Sequence, residues 1–370
     1  MEIAGYPLQR LRARLVEGID PPLFALAIAL SLVGLAALYS ASYENAARVA
    51  NQVLSLAVAL CAMWVVAQVP PQTLMRLAVP AYALGLALLV AVALGGEVVN
   101  GARRWLSFGF GRFQPSEMMK IATPMMLAWY FHRHEGANRL REFALAGVLL
   151  AVPVALIARQ PDLGTALLVA AAGFYVIFFA GISWKVLGGL AALVAASAPP
   201  LWGLLHDYQR RRILTLLDPS TDPLGSGYHI IQSTIAVGSG GLAGKGWLNG
   251  SQTHLEFIPE RHTDFIFAVF SEEFGLVGNV ALLALYTLLI VRGLSIAAGA
   301  ATLFARLLAG AVTLIFFTYA FVNMGMVAGI LPVVGVPLPF ISYGGTSLAT
   351  LFIGVGILMS IHRHRKLVQT

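Results

Sequence analysis

The chain has 370 residues, of which 58% are hydrophobic and only 11% are charged. Soluble domains carry about 25% charged residues, so this composition excludes an ordinary soluble protein and indicates an integral membrane protein. The net charge of +7 does not indicate a nucleic-acid partner, because Lys and Arg of a membrane protein collect in its cytoplasmic loops.

Ten apolar runs are long enough to cross a bilayer as helices. About 20 apolar residues span the ~30 Å hydrocarbon layer, and backbone that faces lipid must be helical or closed into a barrel. The predicted helices cover residues 23–40, 49–68, 74–94, 115–132, 143–158, 163–180, 184–204, 264–291, 304–329 and 341–361. The sequence therefore predicts an all-α polytopic membrane protein with about ten transmembrane helices, and residues 1–370 form a single membrane domain.

The first run has some features of a signal peptide, because Arg10, Arg12 and Arg14 precede it and small residues follow it. Its length and the nine later runs instead indicate a membrane anchor that is retained.

Basic residues predict the orientation of the helices. With a cytoplasmic N-terminus, ten helices return the C-terminus to the cytoplasm, and the cytoplasmic segments then contain Arg76, Arg133, Arg139, Arg141, Lys185, Arg292 and Lys366. One large extracytoplasmic loop, about residues 206–263, then joins helices 7 and 8. A loop of this length is more often functional than idle.

The outer loop 95–114 opposes the charge bias, since it contains Arg103, Arg104 and Arg112. In one interpretation these side chains reach the lipid headgroups beside Trp105. In the other, an arginine fork receives an anionic group at the outer leaflet, because guanidinium binds phosphate oxygens in a bidentate manner. Spacing alone does not separate the two.

Three predicted helices that begin on the outer side each open with an acidic residue, namely Glu117, Asp162 and Asp264. Capping and the helix dipole explain any one of them. Three together favour one shared pocket at the outer interface. Lys120 follows Glu117 on the same helix face, and ionisable groups within spans usually face a cavity and a partner.

Glu272 and Glu273 are predicted about 12–14 Å beyond Asp264 along the eighth helix, at ~1.5 Å per residue. A carboxylate in the apolar layer costs about 2.5–3.5 kcal/mol unless it is paired or protonated. We therefore expect both to have partners, and Lys120 is one candidate.

The stretch GSGGLAGKG, residues 238–246, has the composition of a phosphate-binding loop without its pattern. Ser239 occupies a position that needs glycine, and Lys245 is followed by glycine rather than Ser or Thr. We interpret the stretch as flexible or close-packed backbone.

Residues 323–345 are rich in glycine and proline, and Pro332, Pro337 and Pro339 predict a bent segment near the outer surface. Membrane proteins permit irregular backbone at this depth only where it is buried or lines a cavity. Helix packing and the lining of a substrate groove are both open interpretations.

Six long motifs together resemble one family, the shape, elongation, division and sporulation (SEDS) proteins. They are NGARRWL, FQPSEMMKIA, QPDLGTALL, GYHIIQSTIAVGSGGLAGKGW, FIPERHTDFIFAVFSEEFGLVG and GILPVVGVPLPFISYGGTS. The similarity extends from the first helix to the tail.

The resemblance implies a peptidoglycan glycosyltransferase of the bacterial inner membrane that polymerises lipid II during cell elongation, with its active site facing the periplasm. It also implies a class B penicillin-binding protein as partner. The family's essential aspartate corresponds to Asp264, and its other site residues correspond to Arg104, Glu117, Lys120 and Asp162. We predict Arg103, Arg261 and Glu272 as further substrate-binding residues.

The implied reaction needs a base for the 4-hydroxyl of the acceptor sugar, and we predict Asp264 in this role. Arg104 and Lys120 are predicted to stabilise the departing pyrophosphate. A divalent cation, Mg²⁺ or Mn²⁺, held by a carboxylate such as Asp162, is an open alternative for that task. Because the family's donor is α-linked and its product β-linked, inversion in one displacement is the simplest course.

Two other classes of function are weighed against the enzyme. A lipid II flippase would use Glu272 and Glu273 as a polar path, but the ionisable residues cluster on one side and no repeated halves are evident. A non-catalytic scaffold of the elongation machinery leaves the outer acids and arginines unexplained.

Overall fold

The computed structural model describes residues 18–42, 45–99, 102–107, 112–134, 140–204, 207–222, 225–254, 258 and 260–365. The helices of this part of the chain are α1 Pro21–Ala41, α2 Ala46–Gln68, α3 Pro71–Gly95, α4 Pro115–Arg133, α5 Leu140–Ala158, α6 Leu163–Phe179, α7 Trp184–Leu204, α8 Asp207–Leu217, α9 Ser226–Ser239, α10 Ser251–His254, α11 Ile266–Ala298, α12 Leu303–Val327 and α13 Gly345–Arg363. Strands β1 Glu97–Val99, β2 Ala102–Ser107 and β3 Arg112–Phe113 form a small antiparallel sheet.

Each of the ten predicted apolar runs coincides with one of the long helices, which confirms the prediction of an all-α polytopic membrane protein. By length and composition alone, seven of the described helices are able to cross a membrane, namely α1, α2, α3, α5, α11, α12 and α13. Helix α6 is shorter, with 17 residues. Helix α4 is less apolar because its first turns contain Glu117 and Lys120.

The connection between α7 and α11, predicted as a loop, contains structure of its own. Helices α8, α9 and α10 and a 3₁₀ turn at Pro219–Thr221 lie within it. Helix α9 contacts α11 and α12, so the connection covers one end of the bundle rather than extending away from it.

Both long connections lie at the same end of the bundle, which we call the loop end. The sheet joins α3 to α4 there, and the connection between α7 and α11 meets the ends of α1 and α13. The Arg261 Nε donates to the carbonyl of Ala41, the last residue of α1, at 2.8 Å. The Ser342 hydroxyl, just before α13, donates to the carbonyl of Thr263 at 2.6 Å.

Helix α12 lies at the centre of the bundle. It contacts α4, α6, α11 and α13, and 78% of its most apolar window is buried inside the protein. Helices α2 and α5 have only 17% of theirs buried, as expected for helices that face lipid on most sides. Side chains of α12 are therefore placed to join elements that come from separate parts of the sequence.

At the opposite end, a buried ion pair joins three helices. Asp20 caps α1 by accepting from the amide of Leu23 at 3.0 Å. The same carboxylate pairs with Arg292 of α11, and one of its oxygens lies 3.3 Å from the His362 ring of α13. Burial acts to raise the pKa of Asp20, but the Arg292 hydrogen bond and the Leu23 amide outweigh it and leave this pKa below its ordinary value.

Candidate functional site

Asp162 contacts residues from three parts of the chain at the loop end. It is the N-cap of α6, and its Oδ1 accepts from the Thr165 amide at 3.2 Å. The Gln114 side chain, just before α4, donates to Oδ2 at 3.0 Å, and the Arg104 Nη1 of β2 lies 3.9 Å from Oδ1. Arg104 also donates through Nε to the carbonyl of Gln160 at 3.3 Å. The sheet and the starts of α4 and α6 are thereby held together.

Glu117 and Lys120 form the ion pair that their spacing predicts. The Lys120 Nζ lies 2.6 Å from Glu117 Oε1 and donates to the Tyr319 hydroxyl of α12 at 2.5 Å. Glu117, Lys120 and Tyr319 are all buried. Among the described residues, the buried Oε2 atom of Glu117 has no hydrogen-bond partner. The pair is therefore enclosed in the protein, and one of the two carboxylate oxygens contacts the ammonium group.

Glu117 stands at the head of an apolar groove between α3, α4 and α13. The groove has a volume of about 440 Å³ and starts at Gln114. It follows α4 as far as Met125, a distance of about 16 Å at ~1.5 Å per residue. Its other lining residues are Ala81, Phe113, Met118, Ile121, Ala122, Thr346, Ala349, Thr350 and Ile353.

Asp264 lies in a turn before α11, not in the first turn of the helix as the sequence suggested. The helix begins at Ile266 after Phe265, without a side-chain cap. The hydroxyl of Thr263, a residue type that often caps helices, donates to the Glu260 carboxylate at 3.0 Å instead. Helix capping therefore does not account for Asp264.

The Asp264 carboxylate is partly exposed and sits in an environment that opposes its ionisation. Burial, and next the negative charge of Glu260, raise the pKa of Asp264 to about 6. Its main-chain carbonyl accepts from the Asn323 side chain of α12 at 2.7 Å. A carboxyl group with a pKa near neutrality is suited to accept and release protons.

Asp264 and the first turn of α6, which Asp162 caps, approach the same bent segment, residues 334–336. Gly335 has a φ of 71°, and a Cβ there would lie 3.3 Å from Asp264 Oδ2. On the other side, a Cβ at Gly164 would lie 2.6 Å from the Val334 carbonyl oxygen. The glycine- and proline-rich stretch is thus tightly packed and borders Asp264, whereas its role in lining a substrate groove stays a prediction.

Helix α12 connects this arrangement to the Glu117 pair. Tyr319 contacts Lys120, and Asn323, one turn later, contacts the backbone of Asp264 and donates to the Val336 carbonyl at 2.7 Å. Glu117, through Lys120, and Asp264 are therefore both linked to one central helix at the loop end, and α6, which Asp162 caps, also contacts that helix.

Glu272 does not meet Lys120, which corrects the partner expected from the sequence. Its carboxylate is fully buried and lies 2.6 Å from the Nζ of Lys245, a residue of the connection between α7 and α11. Glu273 accepts from Ser40 near the end of α1. Both carboxylates are therefore level with the loop end rather than deep in the bundle, because α1 ends one residue after Ser40.

The two remaining predicted arginines differ in accessibility. Arg103 is exposed, with Nη1 3.5 Å from the Ala93 carbonyl. Arg261 is buried, and its Nε is bonded to the carbonyl of Ala41. Arg103 is thus open to a ligand, whereas Arg261 joins the connection to α1.

Sequence reasoning missed Gln114, Tyr319, Asn323 and Lys245 as members of the site. Tyr319 and Asn323 did leave a signal, since they are polar groups four residues apart in an apolar helix and share one face. In the described part of the chain, no group of three or more His, Cys, Asp or Glu residues is arranged to hold a metal ion.

The fold and the site define a class of protein: a polytopic helical membrane protein whose buried acids, basic residues and apolar groove converge at one end of the bundle. The profile of the FtsW, RodA and SpoVE family, described as cell cycle proteins, matches residues 22–367. The chain belongs to this family, which confirms the SEDS resemblance.

Similar proteins and structures agree with the assignment. The chain is 53% identical to the peptidoglycan glycosyltransferase MrdB of Escherichia coli over 95% of both chains. A chain of a peptidoglycan synthase complex, described as coordinating polymerization and crosslinking, matches with a TM-score of 0.82 at 36% identity, covering 94% of this chain and 98% of that one. RodA of Thermus thermophilus matches with a TM-score of 0.71 at 31% identity, covering 94% and 97%.

Proposed function

We propose that this protein is a peptidoglycan glycosyltransferase that polymerises lipid II into glycan strands during cell elongation. The observation that carries the proposal is Asp264, a partly exposed carboxyl group with a pKa of about 6 at the loop end, where Arg104 and Lys120 also lie. The activity named for MrdB, to which over half of the aligned residues are identical, supports it.

Asp264 acts as the general base. Its carboxylate takes the proton of the acceptor 4-hydroxyl, and that oxygen forms a bond to C1 of the donor sugar. The bond between C1 and the pyrophosphate oxygen breaks in the same step, and the lipid pyrophosphate leaves with the electron pair. One base is sufficient for such a displacement, and the configuration at C1 inverts.

Arg104 is the direct ligand of the leaving pyrophosphate. Its side chain is 33% exposed, whereas that of Lys120 is 3% exposed and already bonded to Glu117 and Tyr319. Arg103 is exposed on the same strand and adds positive charge. Lys120 contributes by holding Glu117 and Tyr319 in place, because its ammonium group has no open route to the substrate.

The apolar groove beside α4 receives the polyprenyl chain. It begins at Gln114 and Glu117, next to the Asp162 cluster, and continues along α4 between α3 and α13. A tethered substrate can therefore leave its tail in an apolar environment while its pyrophosphate reaches Arg104. Glu117 lines the head of the groove with a side chain that is 10% exposed, which suits a hydroxyl or amide donor of the substrate.

The proposal includes a divalent cation, Mg²⁺ or Mn²⁺, for which Asp162 would be the protein ligand. Mg²⁺ is often bound by one or two carboxylates together with substrate phosphates, which fits a site with a single carboxylate beside the pyrophosphate position. When bound, such an ion would share the charge of the leaving group. Removal of cations by a chelator should lower the rate, and Asp162→Asn should weaken the cation dependence.

The loop end faces the periplasm in the inner membrane, and a class B penicillin-binding protein is the partner. The orientation follows from the basic residues of the opposite side, and the partner from the likeness to a chain of a synthase complex that joins polymerization to crosslinking. Lipid II itself is presented on that side of the membrane in this proposal.

Labelled lipid II in detergent tests the proposal against a flippase or scaffold. Purified protein with its partner should form glycan strands, and Asp264→Asn should be folded yet inactive. Detergent removes the two compartments that transport requires, so strands support the enzyme. Label movement in sealed vesicles without strand formation would favour the transporter.

A further inference from the structure

Helix α11 is interrupted at Gly275, and a segment of the preceding connection is inserted into the break. Gly275 has a φ of 62° and a ψ of −159°, outside the helical region. In a continuous helix, the amides of Leu276 and Val277 would donate to the carbonyls of Glu272 and Glu273. They donate instead to the carbonyls of residues 241 and 242, at 2.9 and 3.1 Å.

The inserted segment also supplies new donors for the two carbonyl groups that the break leaves without a helical partner. The amides of Lys245 and Gly246 donate to the freed carbonyls of Glu272 and Glu273, each at 3.0 Å. Two helical hydrogen bonds are thus replaced by four bonds between α11 and residues 241–246. The stretch GSGGLAGKG is therefore close-packed backbone, as one of the two sequence interpretations held.

Only glycine fits at the closest approach. Gly244 has a φ of 78°, and a Cβ there would lie 2.1 Å from the Glu273 carbonyl oxygen. A Cβ at Gly275 would lie 2.3 Å from the Gly244 nitrogen. The two backbones are in direct contact, so the two segments move together.

An ion pair between the exposed Lys245 and the fully buried Glu272 reinforces the same junction. The Glu272 carboxylate lies 2.6 Å from Lys245 Nζ and also accepts from the Ser251 hydroxyl at 3.1 Å and the Gln252 amide at 3.0 Å. Removal of the lysine charge would leave the fully buried Glu272 carboxylate without its cation, which is destabilising. This pair joins the first part of α11 to the connection between α7 and α11.

We propose that Lys245 and Glu272 are positioning residues for Asp264. The first part of α11, residues 266–274, is separated from the rest of the helix by the break, and Asp264 lies two residues before it. The orientation of this part is set by the inserted segment and the ion pair rather than by helix continuity. Glu272, predicted from the sequence as substrate-binding, is here assigned to positioning Asp264; the assignment rests on the proposed function.

Lys245→Met tests the assignment, because it keeps the length of the side chain and removes its charge. A displacement of about 1 Å at a catalytic group costs about 100-fold in rate, so we expect kcat to fall by about 10- to 100-fold. KM should stay within about twofold. Release of the first part of α11 exposes Asp264, so the midpoint of the rate against pH should move down by about half a unit or more. Lys245→Arg should retain most of the activity.

Asp20→Asn is the matched control. It breaks the ion pair between Asp20 and Arg292, at the far end of α11. The side chains of Arg292 and Asp20 are 28% and 1% exposed, close to the 30% and 0% of Lys245 and Glu272. It should lower the melting temperature without moving the pH midpoint. Among the described residues, the titratable groups around the Asp264 turn are Glu260, Arg261, His262, Arg48 beside that histidine and the His229 ring that stacks on Phe265, and none of them is changed.

The outcomes separate the possibilities. Wild-type kcat and midpoint in Lys245→Met would overturn the assignment, as would an equal loss and shift in Asp20→Asn. If Lys245→Met is not recovered folded, Ser251→Ala decides, since it removes one hydrogen bond to Glu272 and should move the midpoint in the same direction by less. An unchanged midpoint in Ser251→Ala would then overturn it. Absence of strands with wild-type protein would instead contradict the proposed function.

Discussion

The ionised Asp264 carboxylate is suited to act as a base, but its ionisation lowers the stability of the folded protein. Its carboxyl group has a pKa of about 6 in the folded protein, against 3.8 as the ordinary value, so folding disfavours the ionised form. Because the pKa of this acid is raised on folding, its ionisation lowers the stability of the folded protein. This loss of stability is absent below about pH 4, grows between the two pKa values and is complete above about pH 6. The ionised form, which causes this loss, is the form that a general base requires.

Asp264→Asn should therefore raise the melting temperature at pH 7.5 and not at pH 4. One pKa unit corresponds to about 1.4 kcal/mol, and after a discount for partial exposure the gain is on the order of 2 kcal/mol. Thermal melts of the detergent-solubilised variants at both pH values measure it. Glu97→Gln, which removes an exposed carboxylate, serves as the control. An equal effect of Asp264→Asn at both pH values would contradict the assigned environment.

At the scale of helices and strands, the sequence predicts features that depend on one segment and misses features that depend on contacts between distant segments. The ten apolar runs were found because their length is a property of each segment alone. The insertion at Gly275 was not, because it depends on a connection about 30 residues earlier whose glycine-rich stretch has several interpretations. The sequence shows that Glu272 needs a partner, but it presents Lys245 only as part of the glycine-rich stretch, which is interpreted as flexible or close-packed backbone.

The packing of α6 against residues 334–336 gives a prediction at this scale. Gly164→Ala places a methyl group 2.6 Å from the Val334 carbonyl and forces the segment beside Asp264 to shift. Overpacking of this kind costs about 1–3 kcal/mol, so the melting temperature and the polymerisation rate should both fall. Gly147→Ala in α5, with no atom within 4 Å of the new methyl group, should leave both unchanged. Equal behaviour of the two variants would contradict the contact.

For the whole molecule, the site is distributed over elements that meet only in the folded bundle. Arg104 and Gln114 come from the region of the sheet, Asp162 from α6, Tyr319 and Asn323 from α12. The acids at three helix starts could be predicted because orientation places them on one side. The joining role of α12 could not, because its polar residues have meaning only once their neighbours are known.

Orientation is testable with single cysteines in a Cys61→Ser background. Ser220→Cys lies in the exposed 3₁₀ turn of the loop end, and Arg365→Cys follows α13 at the opposite end. A maleimide that does not cross membranes should label Ser220→Cys in intact spheroplasts and Arg365→Cys only after lysis. The reverse pattern would contradict the periplasmic placement of the site.

The most direct measurement of the central claim is the rate of glycan polymerisation against pH for wild-type protein and Glu260→Gln. If Asp264 is the base, the wild-type rate rises with pH around a midpoint near 6, and loss of the negative charge of Glu260 moves that midpoint to lower pH. Glu142→Gln, at the start of α5 on the far side of the bundle, should leave the midpoint in place. A midpoint that does not respond to Glu260→Gln, or an active Asp264→Asn, would contradict the account.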